Sequence, residues 1–221
     1  MRQSPAAGDD GFDNDKEVQL YRQQLDAREA LIKDSIAIVC SKLNLHETNE
    51  EHPEGFSLLQ EAAKLNYYPG YPTAFESKDA RLPLKVFLSE CYFWELVGRT
   101  GRSGYDKYFF GLLTLPTKYP YTVVRPETLA DKINDFFAHA EVNFSEHKQF
   151  SSAYYMVTKD KDMLTGILRH KDLDAIAAMK EFLIEIVEDK CLFLVSTKVV
   201  NTDTAQQFCD GAKLLNKILN G

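Results

Sequence analysis

The chain has 221 residues, 44% of them hydrophobic, and a formal net charge of −7. That length suffices for one large domain or two small ones with a substantial core. The acidic balance and the absence of any Lys/Arg run argue against nucleic-acid binding, which needs basic side chains to replace phosphate counterions. The apolar runs are far shorter than the ~18–20 residues that cross a bilayer, so no integral membrane segment is predicted.

The cysteines number four and form no CxxC pair, so the usual spacing of a zinc ribbon is absent. Cys40, Cys91 and Cys191 lie among apolar neighbours, which predicts reduced, buried thiols. The first residues are polar and acidic and do not resemble a signal peptide. We therefore predict a soluble cytoplasmic protein without a metal or a cofactor.

Residues 1–14 are rich in Gly, Ala and Asp and are predicted to be a disordered tail, because they cannot bury enough apolar surface to offset the cost of ordering. Residues 15–221 are predicted to form a single domain. Within it, 15–80 is expected to be the helical part and 81–221 to contain the sheet and further helices.

A long helix is predicted over residues 15–45, because this segment has no Pro or Gly and many strong helix formers. Val18, Leu25, Ile32 and Val39 recur every seven residues. The first half of the segment is the more polar one. It is therefore compatible with an arm that pairs with another chain, and equally with an ordinary amphipathic helix packed on its own domain.

The next segments are predicted to differ in secondary structure. Residues 46–55 are predicted to be a charged loop, residues 56–66 a second helix, and residues 67–72 a break caused by two prolines and a glycine. Residues 82–124 are dense in Val, Phe, Tyr and Leu between glycines and prolines, which predicts several antiparallel strands.

Within this strand block, Gly101–Gly104 is expected to turn a hairpin between strands near 91–99 and 105–114. The glycines at 98, 101 and 104 alternate with arginines, and such a segment can bind phosphate. However, a nucleotide-binding fingerprint is followed by a helix, whereas aromatic strand-like sequence follows here. A hairpin turn is the better interpretation.

Further elements are predicted after Pro126. In chain order they are a helix over 127–138, a strand over 150–158, a short helix over 160–168, a helix around 173–179, a hairpin of 183–187 with 191–197, and a final helix over 204–219. Glu188–Lys190 is expected to form the hairpin turn, and Thr202 or Asp203 to cap the last helix. This order predicts an α+β fold, with a mainly antiparallel sheet packed against helices and a long N-terminal helix.

Few residues are candidates for a catalytic role, and the sequence contains no recognisable catalytic constellation. We therefore expect that the chain is not an enzyme. An enzyme would have to draw acid–base residues from distant segments, for example His139 and Glu146, and would need a deep pocket beside them.

Tyrosines beside prolines and glycines suggest a ligand site. Tyr68 and Tyr71 precede the strand block that contains Trp94 and Tyr108. Such rings can line a groove for a small molecule or a peptide, or they can pack the loop onto the sheet. These four residues are the candidate ligand-binding residues.

A pattern of shared residues runs through the second half of the chain. The matching positions are Val124, Arg125, Pro126, Glu127, Lys132, Ile133, Val142, Asn143, Phe144, Phe150, Ser151, Tyr154, Leu164 and Leu168. With them, Tyr121–Leu219 resembles a family of uncharacterised bacterial proteins, in which Glu185–Leu194 would be the family's hairpin. The resemblance implies no catalytic residue and no cofactor. Many relatives look membrane-anchored through N-terminal apolar helices, whereas this chain begins with an acidic tail and a polar amphipathic helix.

Two functions of different class follow. The leading hypothesis is a non-enzymatic cytoplasmic interaction or scaffold domain, which binds a protein partner or itself through the N-terminal helix. The alternative is a small-molecule or peptide-binding module that uses the aromatic groove.

Overall fold

The computed structural model describes residues 12–48, 68–69, 72–97, 100–126, 142, 144–179, 181–195 and 200–221. The helices are α1 (Phe12–Leu43), α2 (Lys148–Ala153), α3 (Lys161–Leu168), α4 (Asp174–Ala177) and α5 (Thr202–Asn220). The strands are β1 (Leu45–Thr48), β2 (Tyr68–Pro69), β3 (Thr73–Ser77), β4 (Leu84–Val97), β5 (Thr100–Pro126), β6 (Tyr154–Thr158) and β7 (Phe182–Val195). The fold is α+β, with an antiparallel sheet packed against helices and a long N-terminal helix, as the sequence predicts.

Strand β5 is the centre of the sheet. It forms a long hairpin with β4, from Leu84 opposite Leu113 to Val97 opposite Thr100. Beyond this hairpin, residues 122–126 of β5 pair with β6. Strand β7 pairs with β5 between residues 110 and 124, with two register shifts along the way. Strands β3 and β1 extend the sheet outward from β4, and the short β2 also pairs with β4. All of these pairings are antiparallel.

The main core lies on the face of the sheet that α1 and α5 cover. Phe208 of α5 packs on two rings of the sheet, with its ring centroid 5.6 Å from that of Phe109 and 5.2 Å from that of Phe193. Gly111 makes this possible, because a Cβ at that position would lie 2.1 Å from the Phe193 ring. Burial of each such ring contributes about 1.5–3 kcal/mol.

The opposite face of the sheet carries a second buried cluster. It contains Ala74, Phe87, Cys91, Tyr108, Phe110, Leu112, Leu183, Leu192 and Leu194. Along β5, the members of this cluster alternate with Phe109 and Leu113 of the main core, as the two-residue period of a strand requires. The sheet is therefore apolar on both faces in this region.

The β4–β5 hairpin is present, but its predicted turn is wrong. Val97 pairs with Thr100, so the connection is residues 98–99, which lie outside the described residues. Gly101 and Gly104 lie within β5, opposite Leu96 and Phe93. Two-residue connections are the commonest in hairpins. Because glycines recur at 98, 101 and 104, the sequence alone did not show which two residues form the connection.

The predicted hairpin around Glu188–Lys190 is also wrong, because β7 runs without a turn from Phe182 to Val195. The polar triplet instead lies opposite a bulge. Between Thr114 and Tyr119, β5 advances five positions while β7 advances two, from Lys190 to Glu188. Glu188 takes up the irregularity with a φ of 54°. Bulges accommodate extra residues in this way.

The same irregular stretch explains why β5 is one strand of 27 residues rather than several. Pro116 lies between the shifted pairs, and Pro120 lies between Tyr119 and Thr122, where the register shifts again. Proline cannot donate a ladder hydrogen bond, so bulges are among the few positions in a sheet that tolerate it. The prolines therefore lie where the pairing of the strand is irregular, and not at its end.

Other elements also differ from the sequence-based expectations. Residues 46–48 belong to β1, which pairs with β3, and not to a loop. The strand predicted over 150–158 begins only at Tyr154, because α2 occupies the residues before it. The helix expected around 173–179 is the single turn α4. The predicted helices 56–66 and 127–138 lie outside the described residues.

The helices predicted at the two ends of the described chain are confirmed, with shifted limits. Helix α1 begins at Phe12, and α3 is capped by Asp160, whose side chain accepts a hydrogen bond from the Met163 amide. Helix α5 begins at Thr202, but its cap is Asn201 and not Thr202 or Asp203. The described part of 15–80 contains the strands β1, β2 and β3 in addition to α1.

Candidate interaction surface

Among the residues of helix α1 whose burial is described, the buried and half-buried ones all lie in its second half. Ile32 packs against the main core, and Val39 and Leu43 belong to it. Every residue from 18 to 31 is exposed. The exposed ones include the large apolar side chains of Val18, Leu20, Tyr21, Leu25 and Leu31. We call residues 16–31 the arm.

The arm continues the stripe of α1 that packs on the sheet. At about 100° per residue, Val18, Tyr21 and Leu25 point within about 60° of the direction of Ile32 and Val39. The side chain of Val39 is 1% exposed, whereas Val18 is 45% and Tyr21 62% exposed. The same apolar face is thus covered by the sheet in one half of the helix and uncovered in the other.

Arg28 marks the place where α1 meets the edge of the domain. Its guanidinium forms an ion pair with the Asp106 carboxylate and donates a hydrogen bond to the Tyr105 carbonyl oxygen at 3.2 Å. Tyr105 itself is 62% exposed. An exposed tyrosine of β5 is therefore held at its backbone by the base of the arm.

The arm is electrically neutral. Residues 16–31 contain three basic and three acidic side chains, so the whole net charge of −7 resides in the rest of the chain. A segment with no net charge on an acidic protein can approach a second such segment without the repulsion that the remaining surface would create.

The four aromatic residues predicted to line a groove are described to different extents. Tyr108 is 7% exposed and lies in the second cluster with Phe87 and Cys91. Tyr68 and Trp94 are described by their backbone, in β2 and β4. Tyr71 lies outside the described residues. The aromatic groove stays a prediction, with Tyr108 packed into the sheet face.

A cleft of about 450 Å³ contains one of the two acid–base residues considered from the sequence, Glu146. His139 lies outside the described residues. The neighbour of Glu146 in the cleft is His147, whose Nδ1 lies 3.9 Å from an Asp174 carboxylate oxygen. Asp174 also accepts a hydrogen bond from the Phe150 amide at 2.9 Å. This carboxylate therefore joins the start of α2 to α4.

The thiols are poor nucleophiles in the folded protein. Burial raises the pKa of Cys91 and of Cys191 to about 12, and that of Cys209 to about 11. Since the thiolate is the reactive form, these groups are unreactive near neutral pH. All four cysteines are free.

A second groove, of about 590 Å³, runs along α5. It joins one face of this helix to Met179 and Glu181, which precede β7, and to Phe182, the first residue of β7. No motif in the sequence predicts a site at these residues. The only local signal was the acidic spacing of Asp203 and Asp210, which falls on one helix face.

Within the described residues, no cluster of His, Cys, Asp and Glu is arranged to hold a metal ion. Nor is any helix in the described part of the chain long and apolar enough to cross a membrane. Comparison of the chain with protein-family models, with curated proteins and with solved structures found no match. The resemblance of Tyr121–Leu219 to uncharacterised bacterial proteins therefore stays a prediction.

Proposed function

We propose that this protein is a non-enzymatic interaction domain, and that its binding surface is the arm, covered by the arm of a second copy. The observation that carries the proposal is the continuity of the apolar stripe. The face of α1 that packs on the sheet at Ile32 and Val39 continues, exposed, through Leu25, Tyr21 and Val18.

Length and area set the strength of the association. Sixteen residues of helix extend about 24 Å, somewhat more than two heptads. Such a surface is small compared with the ~1,600 Å² of a standard stable interface. Self-association in the micromolar range is therefore expected, with apolar burial as its driving force.

The composition of the arm favours a second copy over an acidic or a basic partner. Its three basic and three acidic side chains balance, so neither sign of partner is selected. Paired arms can place Arg22 or Lys16 near the other copy's Asp26 or Glu29, which sets orientation more than affinity.

The test is the mass of the full chain in solution, followed by multi-angle light scattering as the concentration rises. The wild type is expected to move from 25.2 kDa toward twice that mass. V18K/L25K places two like charges on the exposed stripe and is expected to remain a monomer. Q19K/Q23K is the matched control, because the same charge change falls on the opposite, polar side of the helix and should leave the association intact.

A variant lacking residues 1–30 separates folding from association. It is expected to keep the far-ultraviolet circular dichroism of a folded α+β core and to lose the dimer. A wild type that stays at 25.2 kDa up to millimolar concentration would overturn self-association. Equal loss of the dimer in Q19K/Q23K would show that total charge, and not the apolar stripe, controls the association.

A further inference from the structure

The groove along α5 has the dimensions of a site for a side chain or a short peptide. Its volume is about 590 Å³, within the range of ligand sites in proteins. One wall is a single face of α5, on which lining residues recur from Asp203 to Leu214 over three turns. The other wall is the segment 178–182, apart from residue 180, which lies outside the described residues.

The floor of the groove is apolar and tightly built. Phe182 is fully buried, and Met179 is 8% exposed. Gly211 brings the helix backbone against the Phe182 ring, since a Cβ there would lie 2.3 Å from the ring's Cζ. Gln207 donates a hydrogen bond from Nε2 to the Met179 carbonyl oxygen at 3.2 Å, which holds the two walls together. A floor fixed in this way is formed before any ligand arrives.

The rim of the groove is acidic. Asp203 and Asp210 are seven residues apart on α5, about 10.5 Å along the helix axis, and Glu181 lies on the facing wall. None of the described lining residues is basic, and residue 180, which lies outside the described residues, is a lysine. Asp210 accepts one hydrogen bond, from Gln206 at 2.8 Å, and retains further lone pairs. Lys42 contacts Gln206 from the side of α1, where it lines a different hollow.

We propose that the α5 groove binds a basic amphipathic peptide segment, with an apolar side chain against Leu214 and Ala178 above the buried Phe182, and Lys or Arg side chains facing Asp203 and Asp210. Charge complementarity favours this occupant, because basic side chains are attracted to the carboxylates of the rim and acidic ones are repelled. The apolar floor separates this binding from general attraction of cations to an acidic protein. The proposal is independent of the arm, which lies on another helix.

The test is fluorescence anisotropy with the full chain and a short fluorescein-labelled peptide of alternating leucine and lysine blocks. The peptide is expected to bind, and to bind more weakly as salt rises from about 0.1 M to about 1 M, where the Debye length falls from about 10 Å to about 3 Å. D203N/D210N removes both charges at constant size and should weaken binding about three- to tenfold. D34N/E90Q, which removes two exposed charges elsewhere, should leave binding unchanged.

Two further experiments test the floor of the groove. A178W places an indole at the exposed edge of the groove and should abolish binding, while circular dichroism verifies that the fold is retained. A serine–lysine peptide of equal length, which cannot use the floor, should bind at least tenfold more weakly. The proposal is overturned if D203N/D210N binds like the wild type, or if the serine–lysine peptide binds as tightly as the leucine–lysine one.

Discussion

Two helical glycines have opposite surroundings, and the difference decides what a methyl group would do at each. At Gly211 of α5, a Cβ would lie 2.3 Å from the Cζ atom of Phe182. At Gly166 of α3, no atom lies within 4 Å of the Cβ position apart from those of the adjacent residues and of the helix's own backbone. Sequence alone treats both as residues that weaken a helix. Only the packing shows that one of them is required and the other is not.

Gly211→Ala is therefore expected to lower the free energy of unfolding by about 1–3 kcal/mol, because the methyl group overpacks a fully buried ring. Gly166→Ala is expected to raise it by about 0.5–1 kcal/mol, through better helix propensity and a less flexible unfolded chain. Urea unfolding of the two variants beside the wild type measures both values. A stabilised Gly211→Ala would show that Phe182 moves aside without cost.

At the scale of a single element, the start of α5 depends on a reciprocal pair of hydrogen bonds. The Asn201 side chain accepts from the Thr204 amide at 2.9 Å, and the Thr204 hydroxyl accepts from the Asn201 amide at 2.9 Å. This is a capping box built from Asn and Thr. The sequence pointed to Thr202 or Asp203 because several capping residue types follow one another here. Which one takes the cap depends on where the preceding chain ends its extended conformation.

Asn201→Ala should cost about 1 kcal/mol of stability, since it leaves the Thr204 amide without its acceptor. Thr202→Ala tests the rejected alternative. Thr202 is exposed and lies inside the helix, so this change should fall within about 0.5 kcal/mol of the wild type. Thermal unfolding of both variants distinguishes the two caps. The order of their effects would be reversed if Thr202 were the true cap.

The sheet elements show where local sequence signals fail. Glu188–Lys190 separates two apolar runs, and a polar triplet in that position usually marks a turn. In the folded chain, Glu188 pairs with Lys118 at 3.0 Å, and Lys190 donates to the Thr114 hydroxyl at 3.1 Å. The triplet is polar because it lies at an exposed bulge of β5. Its partners are about 70 residues away in sequence, so no local pattern could identify them.

At the scale of the whole molecule, the fold class and the helices α1, α3 and α5 follow from patterns that lie within one segment. The order of the strands and the second apolar face of the sheet depend on pairings between distant segments, and the sequence did not reveal them. The candidate sites likewise have parts that a local sequence pattern predicts and parts that depend on the folded structure. The seven-residue repeat from Val18 to Val39 was visible, but its exposure was not. The α5 groove combines two separate segments, so it became visible only in the folded chain.

The buried thiols link the fold of the whole molecule to pH. A thiol has an ordinary pKa of 9.0, and burial raises that of Cys191 to about 12 in the folded protein. The folded state therefore keeps its proton at a pH where the unfolded chain has released it. The resulting stability is fully present below about pH 9 and is lost as the pH rises from about 9 toward about 12.

Urea unfolding at about pH 8 and about pH 11 should accordingly show a steep loss of stability, to which Cys191 alone contributes about 2–3 kcal/mol. Cys191→Ala should be less stable at the lower pH, because it opens a small cavity, yet it should lose about 2–3 kcal/mol less between the two conditions. Cys40→Ala is the matched control, since burial also raises the pKa of that thiol but it is only half-buried, so its removal should change the pH dependence less than removal of Cys191. An equal alkaline loss in Cys191→Ala and the wild type would mean that other groups, such as Tyr154 with its pKa raised by burial to about 12, govern the alkaline transition.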